Sequence, residues 1–166
     1  MKTYKNFILE ISEEEQSEKE KAVQLAYEGM NKLVKKYAQQ YKRKVSLNKS
    51  HFVESHMAER LIERVEDVDK FLKGIEDVFK TTNFITDLPK LHKGYTKNRN
   101  RKYGPQLVSP KYKVHVGTEI RKNGKTYDII TKSVMGRWDE KYIARLKSGR
   151  DKFGNKKTPA PMYRAK

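Results

Sequence analysis

The apolar residues of the first quarter of the chain fall on one helical face. Val23, Ala26, Met30, Leu33, Val34, Tyr37 and Tyr41 recur at steps of three and four, with Lys and Gln between them. This spacing predicts one long amphipathic helix from about Glu13 to Tyr41. Ser12 followed by Glu15 is a capping-box pattern that starts the helix there and leaves the first eleven residues outside it. After a basic break, YKRKVSLNKS, the helical period resumes from about His51 to Phe79 through Met57, Leu61, Val65, Val68, Leu72, Ile75 and Val78. Gly74 weakens this block, and VEDVD marks a bend between two shorter helices. The block is expected to end at TTNFITDLP, closed by Pro89.

The next stretch, KGYTKNRNRKYGP, reads as an exposed loop. The period then changes to two. KYKVHVGTEI and TYDIITKSVM read as strands, and Asn123-Gly124 between them is a strong hairpin signal. The tail from about Lys147, SGRDKFGNKKTPAPMYRAK, has few apolar residues and is expected to be disordered or loosely draped. The predicted class is α+β: N-terminal helices, then a small antiparallel β-sheet, then a basic C-terminal tail. The 166 residues divide into a leader (1–10), a long helix (11–44), an α+β body (45–146) and a tail (147–166), enough for one domain with a modest core.

Charge adds direction to this outline. The net charge is +17, yet residues 1–30 hold more Glu than Lys, and from Lys90 to Lys166 the acids are Glu119, Asp128, Asp139, Glu140 and Asp151. A basic half of this kind points to a polyanion, with nucleic acid as the leading partner and an anionic membrane surface well behind. A merely solubilising surface is the plain alternative. The absence of cysteine excludes disulfides, thiolate catalysis and cysteine-ligated zinc. No apolar run approaches the roughly 20 residues that cross a bilayer, and no apolar secretory segment opens the chain, so no membrane partner is expected.

Candidate chemistry gathers in ESHMAERLIER, where His56, Arg60 and Arg64 line one side of a helix on the shoulder of Met57, Leu61 and Val65. Two fixed cations disfavour the protonated imidazole, which suits His56 to act as a base, and the guanidiniums suit a phosphate. The same spacing fits an ordinary solvated helix in which Glu59 and Glu63 pair with the arginines. Glu66, Asp67 and Asp69 do not converge on one point of a helix, so neither a metal nor another cofactor is expected. Nucleic-acid contacts are expected from Lys93, Tyr95, Lys97, Arg99, Arg101, Lys102 and Tyr103 in the loop and from Arg121, Lys122 and Lys132 on the hairpin.

A helix carrying Ser55, His56, Arg60 and Arg64, followed by a second helix and a hairpin ending in DIITKSV, resembles the small ribonuclease superfamily that includes barnase, colicin and RelE-type toxins. The resemblance covers roughly Ser46 to Arg137. It implies a metal-independent endoribonuclease in which His56 is acid or base, Arg60 the phosphate clamp, and Thr131 or Ser133 a phosphate or sugar contact. Arg64 stands second to Arg60. A second proton-transfer group would be His115 or Tyr127, although a cross-strand surface pair is the plainer reading of His115.

The opening MKTYKNFILE is similar to the capsid-targeting leader of internal head proteins of T-even-type bacteriophages, which begin MKTY, continue with Phe-Ile, and end in an aliphatic residue, any residue and Glu. Here that signal is Ile8-Leu9-Glu10, with cleavage before Ile11; Lys5-Asn6 and Leu9 depart from the usual residues. The resemblance implies a phage prohead protease and the capsid interior as partners, and entry into the host cytoplasm with the genome. Host RNA, packaged DNA or a host protein then remain as targets, the last for a binder that blocks a host defence or nucleic-acid-processing enzyme.

Affinity for random RNA or DNA should fall steeply between low and physiological salt, because neutralised phosphates release counterions. A flat response in a filter-binding titration would contradict a polyanion-binding surface.

Overall fold

The computed structural model describes residues 13–54, 56–65, 67–97, 104–149 and 159–166; the side chains of Gln16, His56 and residues 94–97 lie outside that description. Five of the eleven described elements are the strands of one sheet. The order along the chain is α1 (Glu13–Gln40), β1 (Val45–Leu47), α2 (Lys49–Glu54), α3 (His56–Arg64), α4 (Val68–Thr81), α5 (Leu88–Lys97), β2 (Gln106–Ser109), β3 (Val114–Asn123), β4 (Thr126–Val134), α6 (Glu140–Ser148) and β5 (Met162–Arg164).

Helix α1 follows the apolar period that predicts it. Val23, Ala26, Met30, Val34 and Tyr37 are buried, and Glu13, Glu14 and Glu15 occupy the first turn, where the helix dipole favours anions. The second helical block is three helices rather than two. Asp67 starts α4 by accepting from the Lys70 backbone N–H at 3.2 Å, so the expected bend is an N-cap. Pro89 opens α5 instead of closing a helix. In the first turn its missing N–H has no helical partner to lose. Lys93 to Lys97 therefore belong to a helix, not to the predicted loop, and the leader and the expected cap Ser12 lie outside the described residues.

The sheet runs β1-β4-β3-β2-β5. Strands β2, β3 and β4 form an antiparallel meander, and Gly124 turns the predicted hairpin at φ 62°. Two short edge strands are parallel to their neighbours, β1 to β4 and β5 to β2, so the sheet is mixed and not antiparallel throughout as expected. The end of the tail is likewise corrected, while residues 150–158 lie outside the described residues: Gln106 N–H donates to Pro161 O and Ala165 N–H to Val108 O, both at 2.8 Å, and Tyr163 Oη reaches Asp87 Oδ2 at 2.9 Å. Lys147 and Ser148, assigned to the tail, end α6.

Alternation along the strands divides the sheet into two faces. Leu107, Val116, Ile120, Ile129 and Val134 join the helical residues Met30, Leu61, Phe71, Ile75 and Phe79 in the main core. His115, Glu119 and Val108 alternate with these and face the other way, where α6 brings Tyr142 to 6.0 Å from the His115 ring. A bulge between Gly117 and Thr118 shifts the β3–β4 register within this pattern. Among the described residues, no helix is long and apolar enough to cross a membrane.

Helix α4 lies so close to the sheet that a Cβ on Gly74 would meet Val114 Cγ2 at 2.5 Å. Overpacking costs about 1–3 kcal/mol, against a helix-propensity gain of up to about 1 kcal/mol. Gly74→Ala should therefore lower the unfolding free energy in urea. Because the Val114 Cβ would itself lie 2.7 Å from the added Cβ, relief needs a glycine at 114: the double variant with Val114→Gly should be no less stable than Val114→Gly alone.

Candidate nucleic-acid interface

Helix α3 buries Met57, Ala58 and Leu61 in the main core and packs along β4. Its flank then carries the row His56, Arg60 and Arg64, as the spacing predicts. The last member is fixed. Arg64 Nη1 donates to Val134 O at 2.8 Å, and its stem passes Gly136 so closely that a Cβ there would meet Arg64 Cγ at 2.5 Å. Burial, and then the neighbouring Arg60 charge, lower the Arg64 pKa from its usual value, with Glu63 opposing the shift. Arg60 is half-buried one turn earlier, and His56 supplies the first residue of the helix.

Other expected site residues do not gather on this flank. Thr131 is fully buried on the helix-facing side of β4, opposite Thr118, and its Oγ1 has no hydrogen-bond partner. That corrects its assignment as a phosphate or sugar contact, since a fully enclosed hydroxyl does not meet an RNA strand. Ser133 is on the other face: it pairs with Gly117, and its Oγ would lie 3.3 Å from a Cβ on that glycine. His115 shares this second face, with Nε2 at 2.7 Å from Gln106 Oε1. The sheet thus separates both residues from α3. His115 is buried, so it is neither the second proton-transfer group of that site nor a surface pair.

Tyr127 faces the helical layer, half-buried, with the His92 ring at 6.2 Å and Lys122 Nζ 5.6 Å from its ring centroid. Arg121 and Lys132 project from the hairpin, and both meet the largely buried Glu119, at 3.2 and 3.5 Å. Lys93 is exposed on α5, where Tyr95 and Lys97 also sit with their side chains outside the description. Arg99, Arg101, Lys102 and Tyr103 fall outside the described residues, as do Ile8, Glu10 and Ile11 of the leader. Among the described residues, no group of three or more His, Asp or Glu side chains is placed to hold a metal ion.

Beyond Arg64 the basic row opens into a cleft of about 540 Å³ between the α3–α4 junction, the β2–β3 turn and the segment after β4. Lys70, Tyr112, Lys113 and Trp138 line it. Sequence reasoning missed these four because they come from three separated segments. The one available signal was Trp138, the single tryptophan, set in the polar stretch GRWDE. No family model matches this chain, and neither curated proteins nor solved structures include a significant match to it.

Burial holds the His115 pKa down at about 4 against an ordinary 6.5. The unfolded chain therefore binds this proton at higher pH than the folded one, and the stability present above pH 6.5 is lost as pH falls toward 4. The full effect is at most on the order of 3 kcal/mol. Urea unfolding of wild type and His115→Gln across pH 4 to 7 should show a shallower pH dependence in the variant. Parallel curves would contradict a buried neutral imidazole.

Proposed function

We propose that this chain is an internal head protein of a T-even-type bacteriophage that enters the host with the genome and there cuts RNA without a metal ion. The observation that carries the nucleic-acid part is the docking of α3. The Arg64 bond to Val134 sets the helix on β4 so that Arg64 lines a basic cleft and Arg60, one turn away, lies beside it as a second cation. The helices followed by the β2-β3-β4 meander support the likeness to barnase, colicin and RelE-type ribonucleases, with β1 and β5 as added parallel edges.

RNA cleavage asks little of such a flank. The 2′-hydroxyl already stands beside the scissile phosphate, so removing its proton starts an internal displacement. In this reading His56 takes or returns that proton, and Arg60 holds the charge that develops on the phosphate oxygens. The products are a 2′,3′-cyclic phosphate and a free 5′-hydroxyl.

A second reading, a non-enzymatic binder of nucleic acid or inhibitor of a host enzyme, draws support from the burial of Thr131 and the placement of His115 and Ser133 across the sheet. Those positions remove His115 as a partner in proton transfer and Thr131 and Ser133 as phosphate or sugar contacts.

Purified protein should cleave RNA in EDTA and spare DNA. His56→Ala and Arg60→Ala should each lower the rate by roughly 10² or more. Undiminished cleavage by His56→Ala, or no cleavage by wild type at any salt concentration, would favour the binder. Delivery is tested separately by the intact mass of the protein from purified virions, expected to begin at Ile11. A start at Met1, or absence from virions, would contradict packaging through the leader.

A further inference from the structure

The cleft next to α3 combines fixed cations with aromatic rings. Arg64 reaches it from the helix, Lys70 from the first turn of α4, and Lys113 from the β2–β3 turn, where φ is 54°. Among the described residues, Asp67 is the acidic residue in the lining, and it is engaged as the N-cap of α4. The described lining therefore carries a net positive charge. A guanidinium has five N–H donors, and Val134 takes one of those on Arg64, which leaves donors for a phosphate.

The Trp138 ring is backed by the chain before any ligand arrives. Arg164 lies over Trp138, Cζ 5.8 Å from the ring centroid, and is itself locked to both carboxylate oxygens of Glu140 at 2.8 and 3.1 Å. Across the cleft, Tyr112 is half-buried, and its backbone N–H contacts Ser109 Oγ at 3.4 Å. An ordered ring costs little further entropy on binding. A planar ring system joined to a dianionic or monoanionic phosphate matches this pairing. An acidic peptide would use the cations and leave the aromatic surface unpartnered. The volume of about 540 Å³ is of the size that admits a small ligand rather than a helix.

We propose that this cleft is a nucleotide subsite for single-stranded nucleic acid, taking a base against Trp138 and Tyr112 and its phosphate on Arg64 and Lys113. A duplex keeps its bases stacked and paired, so the cleft selects unpaired strands. The inference rests on the reading that the protein acts on nucleic acid, but not on RNA cleavage. It extends the contact surface to residues on the far side of Arg64 from His56.

Trp138 is the only tryptophan, so its fluorescence reports occupancy directly. The full chain is titrated with a short oligoadenylate, with a duplex of the same length, and with inorganic phosphate. Quenching is expected with the oligoadenylate and not with phosphate alone. Binding of a labelled oligoadenylate, read by anisotropy, should weaken about 10-fold or more in Trp138→Ala and less in Trp138→Phe, which keeps a stacking ring. Lys113→Asn tolerates the positive φ and should reduce the log–log salt slope by about 1 through one lost phosphate contact. Equal quenching by phosphate or by duplex would overturn the subsite, as would unchanged affinity in both Trp138→Ala and Lys113→Asn. If wild type binds in this way but cuts no RNA, the cleavage reading fails and the subsite stands. If RNA is cut with full dependence on His56 while cleft variants bind normally, the subsite fails alone.

Discussion

A guanidinium drawn against the end of a strand governs how the helical layer meets the sheet. Arg64 Nη1 donates to Val134 O, and Val134 is also the last β4 residue paired with β3. Apolar packing of Met57 and Leu61 would hold α3 on the sheet in several rotations. The directed bond to one carbonyl selects the rotation in which Arg64 lines the cleft and Arg60 follows one turn away along the helix. Gly136 makes room for the arginine stem, and the lost hydration of the guanidinium is part of what the contact costs. Positioning of the basic row, and with it the proposed chemistry, depends on that contact.

The two faces of the sheet divide the remaining tasks. The helical side holds the large apolar core, in which α4 touches Val114 directly through Gly74. The opposite side buries polar groups in partnerships: His115 with Gln106, Gln106 with the Gly104 carbonyl at 3.0 Å, and Glu119 with Arg121 and Lys132. Helix α6 and strand β5 close this side, joined by Arg164 and Glu140. The same Arg164 backs Trp138, so the C-terminal strand reaches the cleft through one stacked contact.

Elements with a long period or a strong turn signal were legible in the chain. Helix α1 repeats its apolar face over most of its length, and Asn123-Gly124 supplies the positive φ that the hairpin needs. The short parallel edges were not legible. Val45-Ser46-Leu47 is three residues inside a basic run, and Met162-Tyr163-Arg164 has no alternation to show, so only tertiary pairing makes either a strand. Strand β2 is buried on both faces and lacks alternation for that reason. At the site, α3 and its row followed from spacing, whereas Thr131 and Ser133 were misassigned because the face of a strand residue depends on which elements cover the sheet and on the bulge at Gly117/Thr118. The cleft was hidden because Lys70, Lys113 and Trp138 come together only when a helix start, a strand turn and the segment after β4 meet.

The claim on which everything else turns is that nucleic acid lies along the α3 flank and the adjoining cleft. Hydrogen–deuterium exchange of the full chain, with and without saturating single-stranded RNA, tests it without relying on any substitution. Slower exchange is expected in residues 56–64, 110–114 and 134–138, with α1 and the β4–β1 edge unchanged. Protection confined to α1 or to the C-terminal strand, or none at saturating RNA, would contradict the account.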